Sequence, residues 1–270
     1  MKHILSHNGA GITLILPAYN EMKSIASTIS EAAKYFQTRN LSYEIIVSAD
    51  GNDGTREIVA TLAEKDSRIK VIGQPERLGK GRGIRKAVEL ANGAIIGFAD
   101  ADNKVPIDEY DRLQPYFDNG FDIVIGSRGL NQSRIERKQP LYRQLGSKGF
   151  AVFMHAIVGL KKISDTQCGF KFFRRDVAKE LFRRQKTDGY MFDVEILALA
   201  QQLSYPIKEV PIRWHDDGDS RLLLVRDNFR HAIDIFKIRR AIKREMRASS
   251  VTEQSDFDSR SEICQGVLRR

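Results

Sequence analysis

Asp100 and Asp102, separated by Ala101, stand directly after the apolar run Ala94–Ala99. Carboxylates at i and i+2 of an extended segment project to the same side. Such a pair of hard oxygen donors suits Mg2+ or Mn2+ bridged to the oxygens of a diphosphate. An isolated Asp-x-Asp is also a common solvated turn, and its place at the end of a buried strand is what favours the metal reading. Two more polar clusters have the same placement. Pro17-Ala18-Tyr19-Asn20-Glu21 follows Ile12–Leu16, and Asp50-Gly51-Asn52-Asp53-Gly54 follows Glu44–Ser48. Asp50 could accept hydrogen bonds from a base or a ribose, or make an Asx-type turn with Gly51 and Gly54. Lys80, in Arg77-Leu78-Gly79-Lys80-Gly81, precedes a helix and could contact phosphate, although the spacing is neither a Walker A loop nor a Gly-x-Gly-x-x-Gly fingerprint.

The elements that must position these residues are legible as short apolar runs at Ile12–Leu16, Glu44–Ser48, Ile69–Gly73, Ala94–Ala99 and Asp122–Gly126. Between them lie Ser24–Gln37, Thr55–Lys65 and Gly81–Ala91, whose apolar residues recur at helical spacing. Strand and helix therefore alternate through residue 126, the pattern of an α/β protein with a parallel sheet and helices on both faces. Ligands then bind beyond the carboxyl ends of the strands, where the three polar clusters fall. Past residue 126, Arg128–Arg143 is basic and loop-like, a helix is expected at Val194–Leu203 and a strand at Ile207–Trp214.

With 270 residues and 41% hydrophobic content, the chain can bury one sizeable core with appendages. Cys168 and Cys264 have no metal-ligand or disulfide-framework spacing, which fits a reducing compartment. The first ten residues lack the apolar run of a secretory signal. No window reaches the roughly 18 apolar residues of a spanning helix, so the expectation is a protein that does not cross the membrane. A net charge of +9 implies an anionic partner.

Together, Pro17–Glu21, Asp50–Thr55, Gly79-Lys80-Gly81, Asp100-Ala101-Asp102 and Gly126-Ser127-Arg128 resemble glycosyltransferase family 2 in order and spacing, from about Ile12 to Arg244. Within it, Asp165–Lys171, Phe192–Glu195 and Ile212-Arg213-Trp214 are similar to the dolichyl-phosphate β-glucosyltransferases, with the mannosyltransferases next. The resemblance implies a GT-A nucleotide-diphospho-sugar transferase fold, mostly parallel, and inversion at the anomeric carbon. It assigns Pro17, Ala18, Tyr19, Glu21 and Asp50 to the nucleotide sugar, with Lys80 and Ala101 beside it, and Asp100 and Asp102 to the metal. Arg128, Arg143 and Ser147, together with the neighbouring Lys148, would bind the phosphate of a polyprenyl acceptor. Glucose from UDP-glucose is the leading donor; GDP-mannose and a soluble acceptor are the alternatives. Two positions depart from the relatives: Lys104 stands where the mannosyltransferases place a Gln in the metal shell, and the Ala49–Gly54 loop is shortened.

The acceptor chemistry can be argued independently. A phosphate monoester has its second pKa near 6 and is already a nucleophile at neutral pH, so it needs positioning and charge neutralisation more than a base. An alcohol acceptor would need one, and Asp193 and Asp165 are the candidates, each also able to cap a helix or close a turn.

Gly149–Leu160, with Phe150, Phe153, Met154 and Ile157, reads as an interfacial helix or a core helix. Residues 216–247 combine Leu222, Phe229, Ile233 and Phe236 with Arg226, Arg230, Lys237, Arg239, Arg240, Lys243 and Arg244, a cationic amphipathic helix suited to an anionic membrane surface. Residues 1–215 then form the catalytic domain and 248–270 a disordered tail. No nucleic-acid motif accompanies the charge. The expected location is cytoplasmic, peripheral at the inner face of a membrane.

Overall fold

An extended run that is apolar on both faces is satisfied only if both faces are covered. β1 (Ile12–Tyr19) is such a run: Ile12, Leu14 and Leu16 face one layer and Ile15 the other, all at most 4% exposed. The computed structural model describes residues 11–135, 158–160, 163–215 and 235–240.

Beyond β1 come α1 (Ile25–Thr38), β2 (Tyr43–Asp50), α2 (Thr55–Lys65), β3 (Ile69–Ile72), α3 (Lys80–Leu90) and β4 (Ile95–Ala99). A 3-10 turn at Ile107–Glu109 leads into α4 (Tyr110–Asp118), then β5 (Ile123–Ser127) and the two-residue β6 (Arg134–Ile135). The described chain continues with β7 (Phe170–Arg174), α5 (Arg175–Arg184), α6 (Phe192–Gln202), β8 (Ile207–Pro211) and β9 (Arg213–Trp214). The seven-stranded sheet has the order β3-β2-β1-β4-β7-β5-β8, and β6 pairs with β9 beside it. One layer of helices (α1, α2, α4) closes a core around Phe36, Leu113 and Phe117; the other (α3, α5, α6) closes a second around Ile84, Phe182 and Phe192.

The five strands and three helices read through residue 126 are all present. The sheet departs from the regular alternation at β7, which runs antiparallel between β4 and β5. Its Phe170 and Phe172 enter one core and Phe173 the other, while Lys171 at its centre is 1% exposed. Phe172 also needs room that Gly97 supplies, since a Cβ at Gly97 would lie 2.0 Å from its ring. α4 carries Pro115 internally, which obscures its helical pattern. The expected strand 207–214 is two strands: pairing of β8 with β5 ends at Pro211, and the chain passes through Ile212 into β9.

Residues 235–240 are helical, with Ile235 and Ile238 buried against the core and Phe236 55% exposed. The rest of the expected basic helix, the segment 149–157 and the tail 248–270 lie outside the described residues, as do Arg143, Ser147 and Lys148.

Candidate active site

Parallel register brings the polar clusters to one edge. Tyr19 and Asp50 are partners at the last position of the β1–β2 pairing, and Asp100 follows β4 directly. Pro17 and Ala18 lie within β1, in its covered part. Asp50 holds the approach to α3, accepting the Leu78 N–H at 2.8 Å. Asp53 closes the loop after β2: it accepts from Met22 N–H at 2.9 Å and from the Thr55 N–H and hydroxyl at 3.0 and 2.6 Å. Glu21 N–H donates to the Thr55 hydroxyl at 3.0 Å, tying the β1 and β2 loops together.

Asp100 is fixed by its backbone, whose N–H donates to Gly169 O at 3.0 Å. Gly169 leaves room for the Asp100 carboxylate where it stands, because a Cβ there would sit 2.1 Å from Asp100 Oδ2. The Asp100 carboxylate pairs with Lys80, the first residue of α3, and the Asp102 carboxylate with Lys104 at 3.2 Å. Burial disfavours the Lys80 charge, but Asp100 and Asp193 outweigh it and raise its pKa. Burial and the charge of Asp100 raise the Asp102 carboxyl pKa above its usual range, with Lys104 pulling the other way. No group of three His, Cys, Asp or Glu side chains forms a metal cluster among the described residues. Two crowded carboxylates whose charges repel nevertheless fit a hard divalent cation that draws its remaining ligands from a bound diphosphate.

Arg128 leaves the end of β5 and meets Asp165 in a bidentate pair, Nε to Oδ2 at 2.7 Å and Nη2 to Oδ1 at 3.0 Å. The Arg128 and Gln167 N–H groups add bonds to the same carboxylate at 3.0 and 3.2 Å. Burial alone would raise the Asp165 pKa; Arg128 more than offsets it, bringing it down to about 2. Asp165 thus has the geometry of a group that orients Arg128, not of a proton acceptor. Trp214 flanks the guanidinium, whose carbon lies 5.5 Å from the ring centroid. Asp193, in the first turn of α6, is 4% exposed and accepts from Lys171 Nζ at 2.8 Å. Desolvation raises its pKa, with Lys171 and Lys80 opposing.

Several contacts around this edge carry no sequence signal, and most of them join residues far apart along the chain. Glu195 of α6 accepts the N–H groups of Lys186 and Thr187 at 2.9 and 2.7 Å, tying the segment 185–189 to the start of that helix beside α3. There Gly79, at φ +111, passes so close that a Cβ would lie 2.4 Å from Asp188 O. Arg85 clamps the same segment through the Asp188 carboxylate at 2.8 Å and Gln185 O at 3.2 Å. On the outer rim Arg77 lies over the ring of Tyr19, 4.3 Å from its centroid, and donates to the Tyr190 hydroxyl at 3.3 Å. Buried Glu109 and its neighbour Asp108 both bind Arg213, joining β9 to the turn that follows Asp102.

Among solved structures, the fold is shared with mannosyl-3-phosphoglycerate synthase of Rubrobacter xylanophilus (TM-score 0.63, 17% identity, 89% of this chain and 75% of that one). It is shared equally with Mycobacterium tuberculosis glucosyl-3-phosphoglycerate synthase, one structure of which contains Mn2+, uridine diphosphate and phosphoglyceric acid (TM-score 0.61, 19% identity, 85% and 77%). In sequence, the chain is 36% identical over 238 residues to a dolichyl-phosphate beta-glucosyltransferase of Trichomonas vaginalis, covering 84% of this chain and 70% of the relative. It is 33% identical over 241 residues to the Dictyostelium discoideum dolichyl-phosphate beta-glucosyltransferase, covering 84% and 73%. With the glycosyl transferase family 2 model matching residues 13–182, and relatives above 30% identity along most of its length, the chain belongs to glycosyl transferase family 2.

Proposed function

We propose that this enzyme transfers glucose from UDP-glucose to a polyprenyl phosphate of the dolichyl type, with inversion, at the cytoplasmic surface of a membrane. The observation that carries the reading is the identity of 31–36% to several dolichyl-phosphate beta-glucosyltransferases over about four fifths of the chain. The site geometry supports it: carboxylates and cations for a diphosphate and a separate, oriented arginine stand at one sheet edge.

The nucleotide sits along Pro17–Glu21 and Asp50, and its diphosphate near Lys80, Asp100 and Asp102. Asp100 and Asp102 would hold Mg2+ or Mn2+, which when bound neutralises charge on the leaving diphosphate. Lys80, kept charged by two carboxylates, adds to the same neutralisation from the protein side. Arg128, held by Asp165, would present its remaining N–H groups to the acceptor phosphate, and the resemblance adds Arg143 and Ser147, with the neighbouring Lys148, to that role. A phosphate oxygen bonds to the anomeric carbon as the bond to the diphosphate oxygen breaks, and the electron pair leaves with UDP. No proton moves, so neither Asp165 nor Asp193 is needed as a base.

Residues 1–215 would be the catalytic domain and 216–247 the surface attachment. The exposed Lys237, Arg239 and Arg240 support a cationic surface there, on a helix whose Ile235 and Ile238 pack against the catalytic core. Among the described residues no helix is long and apolar enough to cross a membrane.

The test is a matrix of UDP-glucose and GDP-mannose against polyprenyl phosphate and phosphoglyceric acid, with Mg2+, Mn2+ or EDTA, read by mass spectrometry. Glucosyl-phosphoryl-polyprenol from UDP-glucose is expected. Transfer to phosphoglyceric acid with none to the lipid would overturn the acceptor, and mannose transfer alone would overturn the donor.

A further inference from the structure

Both acidic side chains of the Asp100–Asp102 turn already carry a lysine, but the two lysines are held differently. Lys80 belongs to α3, faces Asp193 as well as Asp100, and is mostly buried. Lys104 belongs to the same turn as its partner. Its N–H reaches Asp102 Oδ1 at 3.3 Å while its ammonium reaches Oδ2 at 3.2 Å, so one residue covers both oxygens of one carboxylate.

The backbone of that turn is pinned independently of the ammonium. Lys104 O accepts the His215 N–H at 2.9 Å, and Asn103, at φ 56, donates through Nδ2 to Glu31 Oε2 at 2.6 Å. The turn is therefore held by bonds that do not involve the Lys104 ammonium. A divalent cation approaching Asp102 meets the Lys104 ammonium at the oxygen it must take. A bound diphosphate supplies anionic oxygens that rehouse the ammonium once it leaves.

We infer that Lys104 is a built-in counter-ion that occupies the Asp102 carboxylate until a nucleoside diphosphate arrives, and so makes metal binding depend on the nucleotide. The inference rests on the reading of Asp100 and Asp102 as metal-holding residues. Coupling of this kind is reciprocal, so the metal tightens the nucleotide by the same factor. It keeps the site from retaining metal without substrate.

The experiment measures Mn2+ affinity by electron paramagnetic resonance of free Mn2+ with the full chain, with and without UDP and without sugar or lipid. For the wild type, UDP should tighten Mn2+ by about tenfold or more. Lys104→Gln and Lys104→Met should bind Mn2+ alone about tenfold more tightly and show a UDP coupling smaller by the same factor, whereas Lys104→Arg, which keeps the charge, should behave like the wild type. Equal Mn2+ affinity of the wild type and both neutral variants without UDP would overturn the inference. Loss of Mn2+ binding in Asp102→Asn alongside that equality would leave the metal reading intact. An Asp102→Asn variant that binds Mn2+ as the wild type does would remove the metal reading and this inference with it.

Discussion

Replacing Lys171 with Met tests how much of the site depends on one buried pair. Lys171 and Asp193 have side chains only 1% and 5% exposed, and the ammonium also donates to Cys168 O. Met preserves the apolar stem and removes both bonds, leaving the Asp193 carboxylate buried and without that partner. Breaking a buried pair in this way costs about 3–5 kcal/mol, a large share of the roughly 5–15 kcal/mol that holds a domain folded. The loss should depend on pH, with a determinate sign. The folded-state pKa of Asp193 already lies above its reference of 3.8, raised by desolvation, and removing Lys171 moves it further up. A group with a raised folded pKa binds more protons folded than unfolded. Its favourable contribution is complete below 3.8 and is lost as pH rises through the folded value. The variant should therefore be least damaged in mild acid and most damaged above neutrality. Urea unfolding at pH 5.5 and 8, followed by circular dichroism, measures both. The double variant Lys171→Met with Asp193→Leu should recover most of the loss, since an apolar pair of similar volume avoids the buried charge. A single-variant cost below about 1 kcal/mol, or a cost independent of pH, would refute the reasoning.

Two further outcomes follow from the same geometry. Gly169→Ala places a methyl 2.1 Å from Asp100 Oδ2 and should push that carboxylate out of position, weakening UDP binding in the presence of Mn2+ by tenfold or more while the fold persists; titration calorimetry and a thermal melt read the two effects, and unchanged affinity would show that Asp100 is not needed where it stands. Asp165→Asn weakens the charged bonds that orient Arg128, and should raise KM for polyprenyl phosphate more than for UDP-glucose. Because the Asp165 pKa is lowered from 3.8 to about 2, its stabilisation is present above 3.8 and fades as pH falls through about 2, so acid unfolding of this variant should be less steep than that of the wild type.

Local pattern determined much of this protein. The runs that became β1 to β5 are short and mainly apolar, α1 to α3 have clear helical spacing, and regular alternation places Tyr19, Asp50 and Asp100 at or just past the carboxyl ends of strands in one sheet. Asp102 and Lys104 meet because they share one turn, so their pairing is local as well. Tertiary structure decided the rest. β7 enters antiparallel between β4 and β5 with a lysine at its centre, and nothing in a residue-by-residue pattern announces a strand whose charge is balanced by a carboxylate 22 positions away. Arg128 and Asp165 are 37 positions apart, and Lys80 and Asp100 are 20 apart. Each side chain alone reads as a solvated charge. Only burial, which removes water as the competing partner, makes a specific distant counter-charge necessary, and which one is within reach is fixed by how the sheet and helices pack.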